Sequence, residues 1–128
     1  MMKRIYLERR RQRSHTIIQA LRYFMESASQ RQNLRALVLA DMDGLVVSEY
    51  HGDSSVRPEE IASYCPLIVK VGGSCYDGQL PSDYASEFSM LLFMYHDQPL
   101  YLVAVGGDGS VYDTLLSVMQ GVQRILGN

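Results

Sequence analysis

Asp41 and Asp43, one residue apart and followed by Gly44, form the carboxylate pair best suited to chemistry in this 128-residue chain. One aspartate of such a pair could attack a phosphorus centre while the other handles the leaving-group proton. Two glycine-rich runs, Gly72-Gly73-Ser74 and Gly106-Gly107-Asp108-Gly109-Ser110, could each cradle a phosphate at a helix start. Neither has the Gly-Lys-Ser/Thr of a phosphate loop or a GxGxxG after a parallel strand, so turn and capping roles are expected. His15, His51 and His96 are scattered without a close carboxylate or thiol partner in the sequence, and local bonding or solvent exposure is expected of each. Cys65 and Cys75 lie ten positions apart with no CxxC or His-paired spacing, which reads as two small thiols in a reducing compartment. No cofactor and no metal site is expected.

The elements that would position these residues are those of one soluble domain. Composition is ordinary, with 47% hydrophobic and 20% charged residues. No apolar run approaches a membrane span and the N-terminus has no secretory core, so a cytoplasmic protein is expected. Charge is uneven. Lys3, Arg4, Arg9, Arg10, Arg11 and Arg13 are six of the twelve basic residues, and with Glu8 they give residues 1–13 a charge of +5 against −7 for the rest. Residues 1–13 therefore read as a basic, partly helical arm offering weak electrostatic contact to an anionic surface, followed by a domain over residues 14–128. With no basic stripe elsewhere, nucleic acid is not expected as a partner.

From Ser14 to about Gln32, Ile17, Leu21, Phe24, Met25 and Ala28 recur at helical spacing, and Asn33 supplies a stop. Ala36–Ala40 is apolar at every position, as a strand covered on both faces must be. Asp43-Gly44 predicts a two-residue primed turn into a second strand over Leu45–Tyr50, polar towards its end and therefore an edge. Pro58, Glu59 and Glu60 open a second helix with Ile61, Tyr64, Cys65 and Ile68 on one face, which Pro66 should kink or end, and Leu67–Val71 also reads as strand. Residues 72–82 read as loop. Tyr84–Tyr95 alternates Phe88, Met90, Leu92 and Met94 with Leu91, Phe93 and Tyr95, and turns at Asp97-Gln98-Pro99 into Leu100–Val105. Val111, Leu115, Val118, Val122 and Ile125 make a last helical stripe ending near Gly127. Helices around a sheet that is apolar on both faces and linked by hairpins predict a single-domain α/β fold: a three-layer α/β/α sandwich with a largely antiparallel central sheet.

Leu37–Gly44 resembles the DxDG signature of the haloacid-dehalogenase phosphatases, which would make Asp41 a nucleophile and Asp43 an acid in a magnesium-dependent hydrolase. Position 45 is Leu where that family has Thr, and Asp113 follows Asp108 by five residues where the family spacing is four. Leu45–Tyr50 also continues directly as a strand, whereas that fold needs a looped turn there and parallel strands joined by helices. An Asp-x-Asp-Gly run is moreover what an ordinary hairpin turn contains.

Ala36–Tyr50, reading ALVLADMDGLVVSEY, and Leu100–Leu126, reading LYLVAVGGDGSVYDTLLSVMQGVQRIL, lie in the order helix, hairpin, helix, antiparallel strands, helix. In that order and in those segments the chain from Ser14 to about Gly127 is similar to the roadblock family, whose layout is profilin-like. The family usually has one more strand before the penultimate one, which only Cys75–Asp83 or the front of Tyr84–Tyr95 could supply. The resemblance implies a non-catalytic homodimer, paired through second helices and edge strands, that docks a small Ras-like GTPase. It points to the solvent side of the second helix, Arg57, Glu59, Glu60, Ser63 and Leu67, for association, and nominates no arginine finger. A mixed-sheet domain sensing a small molecule is the other alternative, and it requires a cavity.

Overall fold

In the computed structural model, residues 2–70, 88–107 and 111–127 are described, with only the backbone path given for 2–15 and 68–70. The order is α1 (Met2–Gln32), β1 (Leu34–Asp41), β2 (Val46–His51), α2 (Pro58–Lys70), β3 (Phe88–Tyr95), β4 (Gln98–Gly106) and α3 (Val111–Leu126). The four strands form one antiparallel sheet in the order β2-β1-β4-β3. This is the expected three-layer sandwich.

Alternation along the central strands assigns the layers. Ala36, Val38 and Ala40 of β1, with Tyr101, Val103 and Val105 of β4, face Val56, Ile61, Ala62 and Cys65 around α2. Leu37, Leu39, Leu102 and Ala104 face the opposite layer, where Leu21, Met25 and Ala28 of α1 meet Leu115, Val118 and Val122 of α3. Both alternations expected of β3 hold, since Phe88 and Met90 join the α2 side while Leu91, Phe93 and Tyr95 join the other. Two helices thus cover one face and one covers the other. α2 lies mainly over β1 and β2. On that side of β3, Leu92 is 44% and Met94 57% exposed.

Four local expectations are corrected. The first helix begins at Met2 rather than near Ser14, so the basic segment continues α1. Asn33 ends it as expected, in the left-handed conformation with φ 55° that terminates helices. Second, the first hairpin does not use a primed two-residue turn. Only Gly44 has positive φ, at 79°, and its N–H donates to the Asp41 carbonyl across Met42 and Asp43. That is the three-residue loop in which a left-handed glycine follows an ordinary turn. Third, the second hairpin turns at His96 and Asp97, both left-handed, and Gln98 and Pro99 already belong to β4. Fourth, α2 runs through Pro66 to Lys70. Proline's fixed φ is helical, and the loss is one bond, because the Ala62 carbonyl has no N–H four residues on to accept from. The expected loop at 72–82, the Cys75–Asp83 and Tyr84–Glu87 segments, and Asp108-Gly109-Ser110 lie outside the described residues.

Among the described residues, one buried side-chain polar group has no partner. The Ser29 hydroxyl on the inner side of α1 has no hydrogen bond within reach. Ser29→Ala should therefore raise stability by about 1 kcal/mol, since it removes an unsatisfied hydroxyl and improves helix propensity. Chemical denaturation with an unchanged m-value would register this as a higher midpoint.

Candidate functional site

Asp41, at the end of β1, is committed to the hairpin. Its Oδ1 accepts the backbone N–H of Asp43 at 2.9 Å and of Leu45 at 3.0 Å, while its own N–H donates to the Leu45 carbonyl at 3.0 Å. Asp43 is exposed at the tip. The carboxylate proposed as nucleophile is thus an Asx-type anchor for the turn. The antiparallel sheet is also unlike the parallel one that the phosphatase signature serves. Lys70 has no described side chain, and no group of three His, Cys, Asp or Glu residues suited to a metal ion occurs among the described residues.

The scattered nucleophile and base candidates resolve individually. Cys65 is fully buried in α2, its Sγ donates to the Ile61 carbonyl at 3.4 Å, and burial pushes its thiol pKa up to about 12. Such a thiol is inert at neutral pH. Burial also raises the Tyr101 hydroxyl pKa, with the nearby Cys65 adding to it. His51 is exposed and locally bonded, as expected: it bonds Glu49 two positions back at 2.7 Å, because i and i+2 share one side of edge strand β2. The His96 ring packs edge-on against Tyr95, with centroids 4.3 Å apart. His15 has no described side chain.

The residues nominated on α2 lie as follows. Glu59, Ser63 and Leu67, spaced by four, are all exposed, Leu67 at 46%, so they form one outward stripe. Glu60 is half-buried and its carbonyl accepts the Ser63 hydroxyl at 2.7 Å. Arg57 is exposed just before Pro58, and its carbonyl accepts the Ile61 N–H, so its backbone begins the helix. Gly44 fixes where this helix sits. A β-carbon there would stand 3.2 Å from the Ser63 Cα and 3.3 Å from the Ala62 carbonyl oxygen, the carbonyl freed by Pro66.

A second anchor for α2 was invisible in the sequence. Asp53 Oδ2 accepts the Arg35 Nε–H at 2.6 Å, Asp53 Oδ1 accepts the Ser55 hydroxyl at 2.7 Å and its N–H at 2.9 Å, and Arg35 Nη2 donates to Ser55 Oγ at 2.9 Å. With the Gly52 N–H on the Arg35 carbonyl, these bonds tie the segment entering α2 to β1. Asp53-x-Ser55 is a recognisable Asx signal. Its partner Arg35, 18 positions earlier, has none.

The two Ser55 bonds, and then Arg35, hold the Asp53 pKa at about 2 against an ordinary 3.8. A depressed carboxylate pKa contributes stability that is complete above the unfolded value and is lost as pH falls through the folded one. Asp53→Asn should therefore melt below wild type at pH 7, with the gap closing between about pH 4 and pH 2. Thermal melts across that range would show it, and a pH-independent gap would refute the linkage.

Among the described residues no helix is long and apolar enough to cross a membrane. No protein-family model matches the chain, and no curated protein matches it significantly. The solved structure of Myxococcus xanthus MglB is similar in fold, with a TM-score of 0.53 at 13% identity over 88% of this chain and 86% of that one. Three helices packed on a four-stranded antiparallel sheet therefore make this a roadblock-like α/β fold.

Proposed function

We propose that this chain is a non-catalytic, dimeric regulator or scaffold that binds a small Ras-like GTPase in the cytoplasm. The observation that carries the reading is the fold: the element order that the roadblock resemblance implied is found among the described residues, and the fold is similar to that of MglB over 88% of this chain. Two features support it. The Asp41 carboxylate is occupied by the turn it anchors. Strand β3, an edge among the described residues, carries exposed Leu92 and Met94, and the outward stripe of α2 carries exposed Leu67. A two-fold partner would cover both the open edge and these apolar side chains. A GTPase presents switch segments whose order depends on bound nucleotide, so a rigid platform touching them gains state-dependent affinity without chemistry of its own.

Light scattering should give about twice the 14.5 kDa chain mass at micromolar concentration. Titration with a Ras-like GTPase, loaded with GDP or a GTP analogue, should show binding that differs between nucleotide states. Charge reversal at Glu59 and Glu60 should weaken that binding and leave the dimer folded. A monomer throughout a dilution series would remove the dimer, and absence of binding in both states would remove the GTPase. Magnesium-dependent phosphate-ester hydrolysis that Asp41→Asn abolishes would instead restore the phosphatase reading.

A further inference from the structure

On the face of the molecule away from α2, helices α1 and α3 run side by side in opposite directions. Ala28 of α1 lies beside Val118 of α3, and a β-carbon on Gly121 would overlap the Phe24 ring. Where the seam opens there is a cleft of about 310 Å³, near the lower bound for ligand sites. At its polar end Arg31, Gln32, Thr114 and Ser117 contribute. Arg124 and Phe24 connect it to an adjoining, more apolar hollow of about 240 Å³ beside Gly121 and Ile125. The result is one amphipathic groove following the helix seam.

Its charge is one-sided. Outside residues 1–13 the chain has six basic residues, and two of them, Arg31 and Arg124, line this groove, which no acidic residue lines among the described residues. Both are exposed, and neither is paired with a carboxylate among the described residues, in contrast to Arg35. Each stands in the last turn of its helix, where the dipole favours a cation. That accounts for each arginine alone; it does not account for their sharing one groove in a chain of net charge −2. Beyond the apolar end, the backbone of α1 continues to Met2.

We propose that the α1/α3 groove is a docking site for an extended acidic peptide segment of a partner protein, with carboxylates on Arg31 and Arg124 and an apolar side chain in the adjoining hollow over Phe24 and Ile125. Complementary charge recruits such a segment and the apolar hollow fixes its register. The groove lies across the sheet from α2, so this docking is independent of the GTPase reading.

The test is fluorescence anisotropy of the full chain with a labelled peptide of repeating Glu-Glu-Leu units. Saturable binding is expected, weakened about fivefold or more in Arg31→Ala/Arg124→Ala. Arg31→Ala and Arg124→Ala should each weaken binding singly, whereas Arg22→Ala, which removes one charge from an exposed position of α1 outside the groove, should leave affinity nearly unchanged. Thermal melts of the variants should stay close to wild type, since the three side chains are exposed, with only a small lowering where a helix-terminal cation is lost. Equal weakening by Arg22→Ala would reduce the effect to diffuse charge and overturn the proposal. Equal affinity for a peptide with serine in place of leucine would also overturn it, as would no peptide binding at all. Inorganic phosphate or phosphatidylserine vesicles binding in place of the peptide, with the same dependence on Arg31 and Arg124, would reassign the groove to a small anion or a membrane.

Discussion

Gly44→Val is expected to destabilise the protein by roughly 2–4 kcal/mol, a large part of the ~5–15 kcal/mol that holds such a domain folded. Two costs combine. At φ 79° a residue with a β-carbon is strained by about 1–2 kcal/mol, and more when it is β-branched. The new side chain would also press on backbone, the Ser63 Cα and the Ala62 carbonyl of α2, which cannot rotate away as a flexible side chain could. Relief would require the hairpin or α2 to shift, and both pack on the sheet face built from Ala36, Val38 and Ala40. Gly44→Asn separates the two costs, because asparagine tolerates the left-handed region yet still carries a β-carbon. If the contact with α2 dominates, asparagine should be nearly as damaging as alanine in chemical denaturation. Full rescue by asparagine would show that conformation alone requires the glycine.

The second large effect is expected at Gly121, in the middle of α3. Glycine in a helix interior costs about 1 kcal/mol relative to alanine, so Gly121→Ala would stabilise α3 if only propensity mattered. A β-carbon there overlaps the ring of Phe24, however, and the half-buried ring must turn out towards solvent or push α1 away. Losing the seat of a phenylalanine forfeits about 1.5–3 kcal/mol, so Gly121→Ala should be destabilising by about 1 kcal/mol and Gly121→Leu by about 3 kcal/mol. Phe24→Ala removes the obstruction, and in that background Gly121→Ala should turn stabilising. The double-mutant cycle should yield a coupling of about 1–3 kcal/mol. Additivity within error would mean that the ring relocates freely. The same contact shapes the apolar end of the α1/α3 groove, so Gly121→Leu should also weaken the acidic peptide there.

The element pattern was legible in the sequence because it depends on near neighbours. The all-apolar run Ala36–Ala40 marked a strand covered on both sides, alternation in the strand ending at Tyr95 grouped its side chains by sheet face, and the stripe Leu115, Val118, Val122 named the buried side of α3. Asn33 and Pro58 marked the end of α1 and the start of α2 through constraints on their own backbone or that of the next few residues. The fold class followed, because hairpin-linked strands with two apolar faces admit few arrangements.

What remained for the tertiary structure were features joining distant segments. Asp41 matched a nucleophile motif although the turn reading was the stronger one, and the bonds its carboxylate accepts from the Asp43 and Leu45 N–H groups show how it holds that turn. Pro66 signalled a break, yet the helix continues, since one missing bond is a smaller loss than the packing of Ile61, Ala62 and Cys65 is a gain. Gly44 was expected for its conformation alone, whereas the fold also requires it to be small against α2. Arg31 and Arg124 stand near opposite ends of the chain with nothing in composition or periodicity to connect them, and antiparallel packing of α1 on α3 brings them to one groove. Local sequence determines which conformations and faces each segment can adopt, but a site made from two segments exists only once packing has fixed their mutual register.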